Sequence, residues 1–245
     1  MRHSLEITYL LNSGFLVKTG RVLLVFDDYA DPAHAVDKAV DEADFDAFYI
    51  FVSHAHFDHF DTHIHAYADV VTHSVFSEDV LHTKRARLFP AGKVAYMKRY
   101  AEWGDGRVRV SSFDSTDVGT CFLVEAEGAR IFHAGDFNWW HWTGESRESQ
   151  LLARNAFQKQ MKKLEGMEAD VAFFPVDGRM GEAWDMGARE FCARTSTSAL
   201  VTMHNVGFPA WKPGEGFFAE GREIPCWTPM NAGEKRVLEG GSFRE

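Results

Sequence analysis

The sequence predicts an α/β protein folded as one domain over residues 1–245, and three observations predict it. With 45% of its 245 residues hydrophobic and 14% aromatic, the chain can bury a large core. Runs of β-branched and aromatic residues alternate with amphipathic helical stretches in two successive halves, a pattern compatible with a duplicated sandwich, and no repeat of fixed period occurs. A polar, histidine-rich loop directly follows a wholly apolar strand, the place where open α/β sheets bind their ligands.

The chain opens as a β-meander, with strands over 7–11, 15–18 and 22–27 joined by turns at Asn12-Ser13-Gly14 and Thr19-Gly20. Residues 31–42 carry Pro32 near their start and Ala35, Val36, Ala39 and Val40 at helical spacing, which predicts a short amphipathic helix. Phe48-Tyr49-Ile50-Phe51-Val52 is the pattern of a strand buried on both faces. Past the histidine-rich loop, a strand is expected at 70–71, a helix over 77–83, and strands over 94–97 and 108–113. A hairpin pair over 121–125 and 130–133 turns at Gly128, followed by a helix over 149–164, a strand over 171–176, a helix over 188–194 and a last strand over 199–203. From Gly207 onward the chain is rich in Gly and Pro without a long periodic segment, and is expected to wrap over the body.

A net charge of −10 repels a phosphate backbone, and the densest basic cluster is only Lys84-Arg85-Ala86-Arg87, so nucleic acid is not an expected partner. The start, Met1-Arg2-His3-Ser4-Leu5-Glu6, puts polar and acidic residues where a secretory signal needs an apolar run, and no later stretch reaches membrane-spanning length. A cytoplasmic protein with a small-molecule substrate and no membrane association is therefore expected. Cys121, Cys192 and Cys226 are odd in number and lack CxxC spacing, so they read as small buried hydrophobes rather than as a disulfide framework or zinc ribbon.

The chemistry concentrates in His54-Ala55-His56-Phe57-Asp58-His59. In extended backbone, residues two apart point the same way, so His54 and His56 can present imidazoles to one ion, with Asp58 and His59 close enough to face a second. Imidazole suits zinc, iron and manganese, whereas carboxylates suit harder ions or bridge two metals.

This run is similar to the metal-binding motif of the metallo-β-lactamase superfamily, whose fold is a four-layer αββα sandwich with its metals at one edge between two sheets. His133-Ala134-Gly135-Asp136 resembles the superfamily's strand-end "GD" motif, and Met203-His204 its final motif. The resemblance implies that His54 and His56 serve one metal, that Asp58, His59 and His204 serve the other, and that Asp136 bridges them. It implies hydrolysis of an ester, lactone, amide or phosphoester of a small organic substrate by a metal-bound hydroxide, with one or two Zn2+ ions expected and Mn2+ or Fe2+ also suited. Asp58, whose counterpart in related enzymes also orients the nucleophile or shuttles its proton, is the catalytic candidate.

One motif departs from the family. Members with two metals usually carry a further histidine ahead of the "GD" motif, yet no histidine occurs from Lys84 to Phe132. Counting along the strand puts Asp114 near the missing ligand's place, with Asp117 second; either would harden the first site, while a plain Asp and Ser turn is the alternative. Trp139, Trp140 and Trp142 read either as an apolar substrate wall or as packing. Asp177 and Arg179 read either as substrate-binding or ligand-bracing residues, or as a turn with a local ion pair. His63, His65 and His73 are placed on a helix surface or behind the ligands, and His133 in a structural role. Two further classes remain open: a binding or regulatory module with an incomplete metal site, and a di-iron oxidoreductase. A nuclease is disfavoured by the charge.

Overall fold

The computed structural model describes residues 4–245, so the polar start at residues 1–3 lies outside the described residues. Strands β1 (Leu5–Leu11), β2 (Gly14–Thr19), β3 (Val22–Phe26), β4 (Ala47–Val52), β5 (His73–Ser77) and β6 (Val94–Met97) lie side by side in one sheet. Strands β7 (Glu102–Gly104), β8 (Val108–Asp114), β9 (Thr120–Ala126) and β10 (Ala129–His133) begin a second. The two-residue strand β11 (Glu168–Ala169) precedes β12 (Val171–Pro175) and pairs with the equally short β13 (Ser196–Thr197). With β14 (Leu200–Met203) and β15 (Cys226–Trp227) the second sheet takes the order β15-β14-β12-β10-β9-β8-β7. The chain then returns, as β16 (Lys235–Glu239) and β17 (Ser242–Arg244), to the edge of the first sheet beside β1.

Strand alternation builds the layers. On β3 and β4, Leu24, Phe26, Tyr49 and Phe51 face the second sheet, where Phe51 meets Phe122 at 6.0 Å and Phe26 meets Phe173 at 6.1 Å between ring centroids. Their neighbours Leu23, Val25, Phe48, Ile50 and Val52 point the other way, against helix α1 (Ala35–Glu42), the 3-10 turn Thr62–Tyr67 and helix α2 (Glu78–Leu81). On the far side, Phe132 and Phe174 stack on Phe191 of helix α4 (Met186–Arg194), while helix α3 (Arg147–Leu164) buries Phe157, Met161 and Leu164. This is the expected αββα sandwich, and β4 is buried along its whole length as its uninterrupted apolar run requires.

Two expectations are corrected. Residues 70–71 form a turn, both amides bonding to the Tyr67 carbonyl, and the strand begins at His73. Valine content there marks the apolar underside of a turn, with Val71 buried. The tail does not merely wrap: it adds β15 to one sheet and β16 and β17 to the other. These are short strands with charged, solvent-facing positions, so they lack the apolar signal of interior strands.

Connectivity decides where the loops gather. β3 and β4 are parallel, as are β10, β12 and β14, and β8 runs the same way as β10 because both are antiparallel to β9. The carboxyl ends of β4, β8, β10, β12 and β14 lead respectively into the histidine-rich loop, Asp117, Asp136, Asp177 and His204.

Candidate metal centre

The structure gathers these strand-end residues on Asp136. Its Oδ1 lies 3.1 Å from His59 Nε2 and 3.4 Å from His204 Nε2, and its Oδ2 lies 3.4 Å from His54 Nε2. Asp58 Oδ2 is 3.8 Å from His59 Nε2 and 3.9 Å from His204 Nε2. Three sets each offer ligand atoms within 4.8 Å of one another: His54, His59 and Asp136; Asp58, His59 and His204; and His56, Asp117 and Asp136.

Each of the three buried imidazoles is turned so that Nε2 faces Asp136. His59 Nδ1 donates to Asp27 Oδ2 at 2.8 Å, and His204 Nδ1 to Asp177 Oδ2 at 2.9 Å. Ser53 Oγ donates to Asp27 Oδ2 at 2.6 Å and is therefore left to accept from His54 Nδ1 at 3.0 Å. In the neutral form protonated at Nδ1, each Nε2 carries a lone pair, the state in which histidine binds metal. The three Nε2 atoms and Asp136 Oδ1 are buried and have no hydrogen-bond partner. A buried unpaired polar atom costs about 1–3 kcal/mol, so four at one point are explained by a shared cationic partner, and the nitrogen and oxygen donors suit divalent ions.

Electrostatics follow from the same packing. Burial, helped by the neighbouring His59, pushes the His54 imidazole down to about 3. Burial also opposes charge on His59, but Asp136 and Asp27, one on either side, lift it above its usual value. Asp136 and Asp27 are buried carboxylates that burial alone would raise; the histidines around them hold both below the carboxylate range. Removing the brace on His204 tests this arrangement: Asp177→Asn is expected to weaken metal binding about 10- to 100-fold in equilibrium dialysis while leaving the far-UV spectrum unchanged.

The loop bearing His54, His56, Asp58 and His59 is clamped from outside. Asp79 Oδ2 accepts from the Ala55 amide at 2.8 Å, and the Arg85 guanidinium donates to the carbonyls of Ala55 and Phe60 while lying over the Phe60 ring. The most basic stretch of the sequence thus includes a residue that braces the histidine-rich loop.

Asp114 does not reach the centre. As the last residue of β8 its carboxylate is held by Arg99 Nε at 2.9 Å and Gln160 Nε2 at 2.8 Å. Asp117, three residues on in the following loop, is the carboxylate placed beside His56 and Asp136. That loop is tied down by Thr116 Oγ1, which accepts from the Asn138 amide at 3.0 Å and donates to the Asn138 carbonyl at 2.7 Å. Asp27, Ser53 and Asn12 went unread as functional residues; Asn12 Nδ2 donates to Asp58 Oδ2 at 3.3 Å. The signal for Asp27 was available, since an acid at the carboxyl end of a buried strand parallel to β4 has to lie beside Ser53.

The remaining expectations divide. Trp139 stacks on Phe157 in the core, whereas Trp140 and Trp142 line a cavity of about 370 Å³ together with Asp58, Asp117 and Arg179. Trp140 Nε1 donates to the Asp136 carbonyl at 2.9 Å. Asp177 both braces His204 and pairs with Arg179. His133 is structural, its Nε2 donating to the Ser13 carbonyl at 2.8 Å and its Nδ1 accepting from the Gly135 amide. His63 pairs with buried Asp28 at 3.1 Å, His65 packs edge-on against Phe89, and His73 lies on β5 against Trp103 rather than on a helix. Among the described residues, no helix is long and apolar enough to cross a membrane.

No family model matches this sequence, and no curated protein matches it either. Solved structures do. The chain is similar over 96% of its length, and 99% of the other's, to a metallo hydrolase from the hyperthermophilic archaeon Ignicoccus hospitalis, with a TM-score of 0.62 at 15% identity. A metallo-β-lactamase fold protein from Bacillus subtilis matches over 96% of this chain and 100% of its own, with a TM-score of 0.59 at 11% identity. A diiron β-hydroxylase from Streptomyces venezuelae matches 83% of this chain with 45% of its own, at a TM-score of 0.52 and 13% identity.

Proposed function

Because this chain has the metallo-β-lactamase fold, we propose that it is a metal-dependent hydrolase whose centre takes two divalent ions. The observation that carries the reading is the convergence of three buried imidazole Nε2 atoms and Asp136 Oδ1, none with a hydrogen-bond partner. His54, His56 and Asp117 would hold one ion and Asp58, His59 and His204 the other, with Asp136 between them. When bound, such ions polarise a carbonyl or phosphoryl oxygen and make water nucleophilic at neutral pH.

The chain's own groups do the rest. Asp58 is half-buried at the cavity wall and steadied by Asn12, a position from which its free oxygen can orient water or pass a proton towards solvent. Trp140 and Trp142 screen one side of the cavity from water, which strengthens the electrostatics inside it. The cavity suits a small ester, lactone, amide or phosphoester.

Asp117 also favours a second reading. His56, Asp117 and Asp136, joined by His54, would suit iron or manganese as well as zinc, so a di-iron oxidoreductase is the alternative, the Streptomyces venezuelae structure being named a diiron β-hydroxylase. Reconstitution with Zn2+, Mn2+ or Fe2+, followed by elemental analysis and a screen of chromogenic esters, lactones and phosphodiesters, separates the two. The hydrolase reading expects about two metal equivalents and metal-dependent turnover. It further expects Asp117→Asn to lose about one equivalent and Asp114→Asn to lose none. Hydrolysis that survives chelation overturns it, and oxygen consumption by an intensely coloured iron form, without hydrolysis, supports the alternative.

A further inference from the structure

Arg179 is the only Lys or Arg among the described residues that line the cavity beside the metal centre. Its guanidinium is held rigidly. Nε donates to Asp177 Oδ1 at 2.9 Å and Oδ2 at 3.0 Å, Nη2 donates to Oδ2, and Cζ lies 5.5 Å from the Trp142 ring centroid. Trp142 in turn lies parallel to Trp140, 5.7 Å away and tilted by 5°. His204 Nδ1 is 3.3 Å from Nη2 but gives its own hydrogen to Asp177, so it is no acceptor for the arginine.

A guanidinium has two edges that can each grip an oxyanion with a pair of parallel hydrogen bonds. One edge of Arg179 is spent on Asp177. The other, formed by Nη1 and the second Nη2 hydrogen, has no acceptor among the described residues, and the side chain is 55% exposed. Bracing His204 requires only the first edge, since Asp177 itself carries that contact and also accepts from the Arg179 amide at 2.9 Å. The second edge is fixed beside His204, one imidazole away from the metal centre, above an aromatic wall that lowers competition from water.

Resting on the metal-dependent reading of the same cavity, we propose that Arg179 is a specificity-determining residue that binds an oxyanion of the substrate. The substrates are then small molecules carrying a carboxylate or a phosphate a few bonds from the group that is hydrolysed. The arginine grips the oxyanion, and Trp140 and Trp142 cover the intervening part.

Three probes test this on the metal-loaded protein, with binding followed by calorimetry: acetate, which can engage the metal centre alone, and succinate and phosphonoacetate, which can span centre and arginine. Wild-type protein is expected to prefer the two longer anions over acetate by about 10- to 100-fold, and Arg179→Gln to erase that preference at unchanged metal content. Arg179→Lys should restore only part of it, because an ammonium has no second edge. The more tightly held of the two longer probes identifies the anion as carboxylate or phosphate type. A preference that survives in Arg179→Gln overturns the proposal, and so does a parallel fall for all three probes with loss of metal, which would mean that the arginine acts only through Asp177. The metal content of the wild-type protein is read first: failure to bind metal sinks the hydrolase reading and this proposal with it, whereas a metal-loaded wild type with no preference for the longer anions overturns the role of Arg179 alone.

Discussion

Asp136→Asn is expected to lower bound divalent metal from about two equivalents to fewer than one, and to reduce hydrolysis by a factor on the order of 10³ or more. Both oxygens of Asp136 are engaged by the constellation, one facing His59 and His204 and the other facing His54. An amide cannot serve both sides, because one of its two faces becomes a hydrogen-bond donor directed at an imidazole lone pair. The carboxamide is nearly isosteric, so the protein should stay folded, with the aromatic near-UV spectrum retained. Elemental analysis after dialysis is the measurement; an Asp136→Asn protein holding the full complement would remove this residue from the centre.

Gly119→Ala is expected to destabilise the fold by about 2–5 kcal/mol, combining left-handed strain with overpacking. Gly119 has φ +81°, and a Cβ there would fall 2.1 Å from the Ser53 carbonyl oxygen and 2.4 Å from His54 Cβ. The close approach is built in, because the Thr120 amide donates to that same carbonyl at 2.9 Å and joins the Asp117 loop of one sheet to the histidine loop of the other. The backbone oxygen cannot rotate away. Gly144→Ala, with open space around it, should change stability by less than about 0.5 kcal/mol. Urea unfolding of both variants in chelator compares them without any contribution from metal; equal midpoints would show that the two sheets can part at Gly119 without penalty.

The layers of the sandwich were readable because the pattern that makes them is local. The unbroken apolar runs at 22–26 and 48–52 state that both faces of these strands are covered, and β3 and β4 are buried along their whole length. The edge strands in the tail were not readable: β15 is only two residues long beside β14, β16 pairs with β1, more than two hundred residues earlier, and β17 pairs only with β16. Within the centre, the histidine-rich loop stands out by its spacing, and Asp136 and His204 by the resemblance of their motifs to those of the metallo-β-lactamase superfamily. Counting along β8 points to Asp114, but the strand stops there and the loop brings Asp117 round to His56.

What residues 54–59 can do chemically, and which strands have both faces covered, are properties of a few neighbouring side chains, and they are legible before any fold is known. Which imidazole leans on Asp27, which carboxylate completes the set, and why Arg179 keeps one edge open all depend on parallel strand order placing five distant loops at one rim. Such convergence is set by pairing between segments far apart in the chain, and local periodicity carries no information about register between them.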